Sequence, residues 1–316
     1  MSQNIIDVKH LSKQYMKQKA VNDASFQIKE GMICGLIGPN GAGKTTIMKM
    51  LGGLVIPTNG SISIYGGCTE AGLAKARGRM SFMIETPYAK EKMSARENLE
   101  KQRLQKGIPD KKRVDEVLKI VGLENTGKKH VRNFSLGMRQ RLGIAIALLS
   151  KPEIMVMDEP INGLDPEGIV EIRELLLKLN REEHITIVIS SHILSELSLL
   201  CTDYIFIHHG ELIQAVSSDE LKKLCKEFYH IHTDNDEKAL VILEEKLGIT
   251  DYDLDEDGSI RLYEKMDKLT EVSRTLYEGG VIPITLGINE ANLEKYYMNM
   301  VGEQNVEHNE GTKASD

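Results

Sequence analysis

Residues 38–45 read Gly-Pro-Asn-Gly-Ala-Gly-Lys-Thr, which fits the spacing G-x-x-x-x-G-K-[ST]. The apolar run before it, Met32 to Ile37, predicts a buried strand, and Thr45 to Leu51 predicts the start of a helix. A strand that enters a helix through such a loop can cradle nucleotide phosphates. Gly38, Gly41 and Gly43 let backbone N–H groups turn inward, and the helix N-terminus adds positive partial charge. In this pattern Lys44 reaches the β- and γ-phosphates of ATP and Thr45 ligates Mg²⁺, with Asn40 and Thr46 counted among the nucleotide-binding residues.

Two further apolar runs end in chemistry. Ile154 to Met157 closes on two adjacent carboxylates, Asp158 and Glu159. Successive strand side chains face opposite ways, so the pair divides the work. One can sit behind Mg²⁺, and the other can face the water that attacks the γ-phosphate. Thr186-Ile-Val-Ile-Ser-Ser-His192 is a third buried-strand pattern. Alone, His192 reads as an ordinary strand-end residue beside a Ser190 or Ser191 helix cap. After a third strand it falls at the carboxyl edge of the same sheet, where open α/β sheets bind ligands.

With these segments in place, residues 3–220 resemble the nucleotide-binding subunit of an ATP-binding cassette transporter. Gly38–Thr45 is similar to Walker A and Ile154–Glu159 to Walker B. Phe134-Ser-Leu-Gly-Met138 resembles the signature segment, Gly163-Leu-Asp-Pro166 the D-loop, His192 the switch histidine, and Tyr15 the aromatic that stacks on adenine. The resemblance implies that Glu159 is the catalytic base, with Lys44 and His192 beside it. It also implies that Asp158 lies at the metal, and that Ser135, Gly137 and Asp165 complete a site shared between two cassettes. The signature departs from the usual Leu-Ser-Gly-Gly-Gln at Leu136 and Met138. Glu85 stands where most family members carry Gln, and resembles the variant of bacitracin-resistance and lantibiotic-immunity transporters. A carboxylate there is a charged oxygen ligand for Mg²⁺ in place of a neutral one.

Composition narrows the class. At 316 residues, with 41% hydrophobic content, about two domains with real cores are expected. A net charge of −7 disfavours non-specific nucleic-acid binding. No apolar stretch approaches the ~18 residues that span a bilayer, and the N-terminus lacks a signal-peptide pattern. Action at the membrane therefore requires a partner. The four cysteines show neither a C-x-x-C pair nor metal spacing, which reads as reduced thiols.

The expected fold is α/β. It comprises a P-loop cassette over 1–220 with a mainly parallel sheet, an antiparallel β layer and a helical insert at about 88–150. A small α+β ferredoxin-like domain follows over 221–302, in the order β-α-β-β-α-β, and then a disordered tail over 303–316. Asp253 to Glu264 satisfies the spacing of a helix-flanked calcium loop. Ile260 and Leu262 alternate with polar residues, however, and Asp257-Gly258 is a hairpin signal, so a hairpin is expected.

The function expected is Mg²⁺-dependent ATP hydrolysis powering a separate transmembrane permease at the cytoplasmic face of the membrane, with a peptide antibiotic or lantibiotic as cargo. A second copy of the chain, or a related ATP-binding subunit, would complete the site, and no nucleic acid is involved. An exporter for another cargo with a regulatory C-terminal domain, and a soluble cassette ATPase acting on ribosomes or DNA, are the alternatives.

Overall fold

In a computed structural model the described residues are 3–84, 89–224, 228–255, 257–264, 268–289, 293, 296–298, 300 and 301. Glu85 and the tail 303–316 lie outside them. The chain divides into two compact units, Met1–Ser218 and Asp219–Asp316.

The first unit opens with β1 (Asn4–Tyr15), β2 (Gln18–Lys29), β3 (Ile33–Ile37), α1 (Lys44–Leu51), β4 (Asn59–Ile64), α2 (Glu70–Arg77) and β5 (Met80–Met83). Three helices follow: α3 (Ala95–Gln105), α4 (Lys112–Ile120) and α5 (Leu136–Leu148). The remainder is β6 (Ile154–Asp158), α6 (Pro166–Glu183), β7 (Thr186–Ser191), α7 (Leu194–Leu200), β8 (Asp203–His208) and β9 (Glu211–Ser217).

Strands β2-β1-β4 form an antiparallel layer. Its inward residues, among them Ile6, Val8, Ile28 and Ile62, share one core with Leu36 of β3 and with Ile47 and Met48 of α1. The second sheet has the order β5-β6-β7-β3-β8-β9. Its first five strands are parallel and β9 returns antiparallel. Strands β3, β6 and β7 are buried along nearly their whole length because both faces of the sheet are covered. Their carboxyl ends carry the phosphate loop, Asp158 and Ser191, so one sheet edge gathers the three motifs.

Local signals set the helix ends. Ser94 and Glu97 form a reciprocal capping box on α3. Asp165 accepts the Gly168 N–H at 3.1 Å to cap α6, with Pro166 in its first turn.

The second unit contains β10 (Phe228–Thr233), α9 (Asp236–Leu247), β11 (Tyr252–Leu254), β12 (Ile260–Leu262), α10 (Leu269–Glu278) and β13 (Pro283–Asn289), after the boundary helix α8 (Ser218–Leu224). The sheet order is β11-β12-β10-β13, and every pairing is antiparallel. Tyr229, Ile231, Leu243, Ile260, Leu262, Val272 and Leu276 make its own core. Asp253 to Glu264 is a hairpin with Gly258 at φ 88° in the turn. Strands flank it where a calcium loop has helices, and its carboxylates are engaged locally: Asp255 with Arg261, Asp253 with Tyr263, and Asp257 with Ser259.

Candidate functional site

The phosphate loop leaves β3 at Ile37 and re-enters regular structure at Lys44. Close packing dictates its glycines. A Cβ on Gly38 would lie 2.2 Å from the Ile207 carbonyl oxygen, and one on Gly43, at φ 106°, would lie 2.5 Å from the Ala20 carbonyl oxygen. Gly41 needs glycine for a different reason, a φ of 82° in open space. Asn40 is exposed in the turn, and Thr46 is half-buried in the first turn of α1.

Lys44 is 5% exposed. Its ammonium donates to the Gly38 carbonyl at 2.7 Å and to the Pro39 carbonyl at 3.1 Å, and stands 3.8 Å from Glu159 Oε1. Burial lowers its pKa below the usual lysine range, and the negative charges of Glu159 and Asp158 oppose that shift. Thr45 Oγ1 donates to Asp158 Oδ2 at 2.7 Å. The first two residues of α1 are thereby joined to the two carboxylates at the end of β6. His192 Nδ1 lies 2.7 Å from the other Glu159 oxygen, Oε2.

The carboxylates are separated by something other than strand alternation. β6 ends at Asp158, and Glu159 takes φ 50°, a left-handed conformation uncommon outside glycine. Such a residue costs about 1–3 kcal/mol and persists only where its surroundings enforce it. Its N–H donates to Ser190 Oγ at 2.9 Å, and Ser190 Oγ donates to Asp158 Oδ1 at 2.5 Å. Ser190 therefore bridges the acidic pair from the neighbouring strand. The sequence offered Ser190 or Ser191 as a helix cap beside His192; neither caps α7, and Ser191 Oγ instead accepts the Ile193 N–H at 3.0 Å in the turn before it.

A second set of the expected residues gathers elsewhere in the unit. Ser135, Gly137 and Asp165 line one cleft of about 630 Å³ with Leu136, Met138, Gly163 and Leu164. None of Lys44, Thr45, Asp158, Glu159 or His192 lines it. Ser135 caps α5, its Oγ accepting the Met138 N–H at 3.3 Å. The cleft therefore combines the N-terminus of α5 with a small hydroxyl residue and a glycine, and Asp165, Glu167, Glu171 and Arg141 also line it. Tyr15, at the end of β1, is 45% exposed, and the Lys13 ammonium stands 5.1 Å from its ring centre. Burial pushes the Cys34 and Cys201 thiols up, away from the thiolate form.

Comparison with known proteins identifies the family. Residues 21–162 match the ABC transporter family. The chain is 41% identical over 298 residues to the bacitracin transport ATP-binding protein BcrA of Bacillus licheniformis, spanning 94% of this chain and 97% of that one. It is 42% identical over 209 residues to the lantibiotic transport ATP-binding protein SrtF of Streptococcus pyogenes, spanning 66% of this chain and 89% of that one. Among solved structures, a dimeric ATP-binding cassette in a post-hydrolysis state with ADP and Pi superposes with a TM-score of 0.61 at 27% identity. It spans 68% of this chain and 99% of that one. Sequence motifs, sheet order and near full-length identity converge, and the chain belongs to the ABC transporter family as an ATP-binding protein, an ATPase.

Proposed function

We propose that this chain hydrolyses ATP to power a separate transmembrane permease, and that the cargo is a peptide antibiotic cleared for immunity or resistance. The observation that carries the catalytic part is the continuous set Lys44–Thr45–Asp158–Glu159–His192 at one sheet edge. Support for the cargo comes from relatives named for bacitracin and lantibiotic transport. Among the described residues no helix is long and apolar enough to cross a membrane, which is why a permease is invoked. It would hold the chain at the cytoplasmic face.

The residues fit Mg²⁺. Thr45 Oγ1 and Asp158 Oδ2 are adjacent hard oxygen donors, and Mg²⁺ is commonly held by one or two carboxylates with substrate phosphates and water. Held by Thr45 and Asp158, the ion would neutralise negative charge on the phosphates. Glu85, outside the described residues, is proposed as a further oxygen ligand. The chain's own groups do the rest. The loop N–H groups and Lys44 hold the phosphates. Glu159 orients the attacking water and takes its proton, and His192 holds Glu159. Tyr15 would stack on the adenine.

Ser135, Gly137 and Asp165 line a cleft separate from Lys44, so we assign them to the nucleotide bound by a second cassette. Solved dimeric cassettes support that assignment. For the C-terminal unit we propose a ferredoxin-like domain, supported by its β-α-β-β-α-β order and its β11-β12-β10-β13 sheet.

Purification of the tagged chain from membranes tests the proposal. The expected result is co-purification of a permease whose loss makes cells sensitive to the peptide. A chain recovered without any membrane protein, from cells unaltered in peptide sensitivity, would contradict it.

A further inference from the structure

The hydroxyl of Ser190 occupies a position that bulk packing does not explain. The side chain is completely buried, in a strand whose preceding residues are Ile187, Val188 and Ile189. A hydroxyl buried there must find partners. It finds them in the acidic pair. Strand β7 lies between β6, which carries the carboxylates, and β3, which carries the phosphate loop. In the register, Asp158 stands opposite Ser190, and Ser190 stands opposite Leu36.

A serine hydroxyl has one hydrogen and two lone pairs. The hydrogen goes to Asp158 Oδ1 at 2.5 Å, which leaves Oδ2 for Thr45 at 2.7 Å. A lone pair accepts the Glu159 N–H at 2.9 Å, a bond that N–H shares with the Ser190 backbone carbonyl at 3.2 Å, and Glu159 sits there at φ 50°. In that conformation the Glu159 carboxylate reaches Lys44 at 3.8 Å and His192 at 2.7 Å. One side chain therefore fixes the rotation of one carboxylate and, as the shorter of two acceptors, helps hold the backbone of the other.

We infer that Ser190 is a positioning residue for hydrolysis, a single hydroxyl that sets the metal-facing carboxylate and the water-facing carboxylate together. The inference rests on the proposed Mg²⁺-dependent hydrolysis. Ser190 acts through Asp158 and Glu159. Groups that orient metal ligands in this way are worth roughly 10–100-fold in metal affinity or activity.

The test compares Ser190→Ala, Ser190→Thr and Ser190→Val with wild type and Glu159→Gln. Three quantities are read: ATP affinity in EDTA, the Mg²⁺ concentration at half-maximal rate, and kcat. Ser190→Ala and Ser190→Val are expected to keep metal-free ATP binding. Each should lower kcat, or raise the Mg²⁺ requirement, by roughly 10–100-fold. Ser190→Thr should recover most of the loss. Threonine and valine have nearly the same shape, so the difference between them reads the hydroxyl alone. A Ser190→Ala enzyme with wild-type kcat and Mg²⁺ requirement overturns the inference, and so does a valine variant that matches the threonine variant. Wild type and Glu159→Gln hydrolysing equally fast would instead remove the catalytic reading on which it rests.

Discussion

His192 Nδ1 and Glu159 Oε2 lie 2.7 Å apart, joining the end of strand β7 to the residue that follows β6. Glu159 Oε1 faces the Lys44 ammonium on its other side. The carboxylate is thus held from both ends, and its remaining freedom is small. Removing the histidine frees one end without touching the phosphate loop. His192→Ala should therefore keep ATP binding and lower kcat by roughly 10²-fold, the lower end of what a positioned acid–base group contributes. Steady-state phosphate release with a parallel nucleotide titration checks this. An unchanged kcat would make the pair structural.

Two loop glycines should respond differently to the same substitution. Gly38→Ala places a Cβ 2.2 Å from the Ile207 carbonyl oxygen and 3.0 Å from Ala42 Cβ, so β8 or the loop must move. Gly41→Ala meets nothing within 4 Å and suffers only its φ of 82°. The backbone cost alone is about 1–2 kcal/mol. Gly38→Ala should lower Tm more than Gly41→Ala and abolish ATP binding. Equal melting temperatures would mean that the contact with Ile207 relaxes freely.

Lys44 gives the site a pH dependence of defined sign. Burial lowers its pKa from the model-compound value of 10.5, so the folded protein surrenders this proton earlier than the unfolded chain does. In the window between the lowered value and 10.5, the unfolded state binds more protons. The nucleotide-free fold therefore gains stability from this group as pH rises there. Phosphate binding needs the charged form, so ATP affinity moves the other way and falls as pH rises through the lowered pKa. Nucleotide titrations from pH 7 to 10.5 should show a steeper fall for wild type than for Lys44→Ala. Equal slopes would mean that another group controls binding.

What the sequence revealed about this site follows the range of each signal. Gly38 to Thr45 was legible because the glycines, lysine and threonine act within one strand-loop-helix unit, where spacing alone carries the geometry. The cap that Asp165 gives α6 is equally local, reaching an N–H only three residues on. The hairpin at Asp257-Gly258 prevailed over the calcium-loop spacing because the period-2 pattern of Ile260 and Leu262 reports strand pairing directly. The bridge through Ser190 was not legible. It depends on β7 lying between β6 and β3, a crossover order that no local pattern encodes. The left-handed turn at Glu159 was missed as well, because alternation along a strand assumes that the strand continues. The meeting of Ser135 with Gly163 and Asp165 depends in turn on how the start of α5 packs against the start of α6, a contact between residues nearly thirty positions apart.

The central claim is that Glu159 acts on the water while Lys44, Thr45 and Asp158 hold the phosphates and metal. Phosphate release from ATP by wild type and by Glu159→Gln, measured at matched nucleotide occupancy and saturating Mg²⁺, tests it most directly. The glutamine keeps the size of the side chain and one oxygen for Lys44 or His192, but it carries no charge and cannot take a proton. The predicted result is undiminished ATP binding with turnover lowered by roughly 10²–10⁴-fold. Turnover close to wild type at equal occupancy would contradict the account.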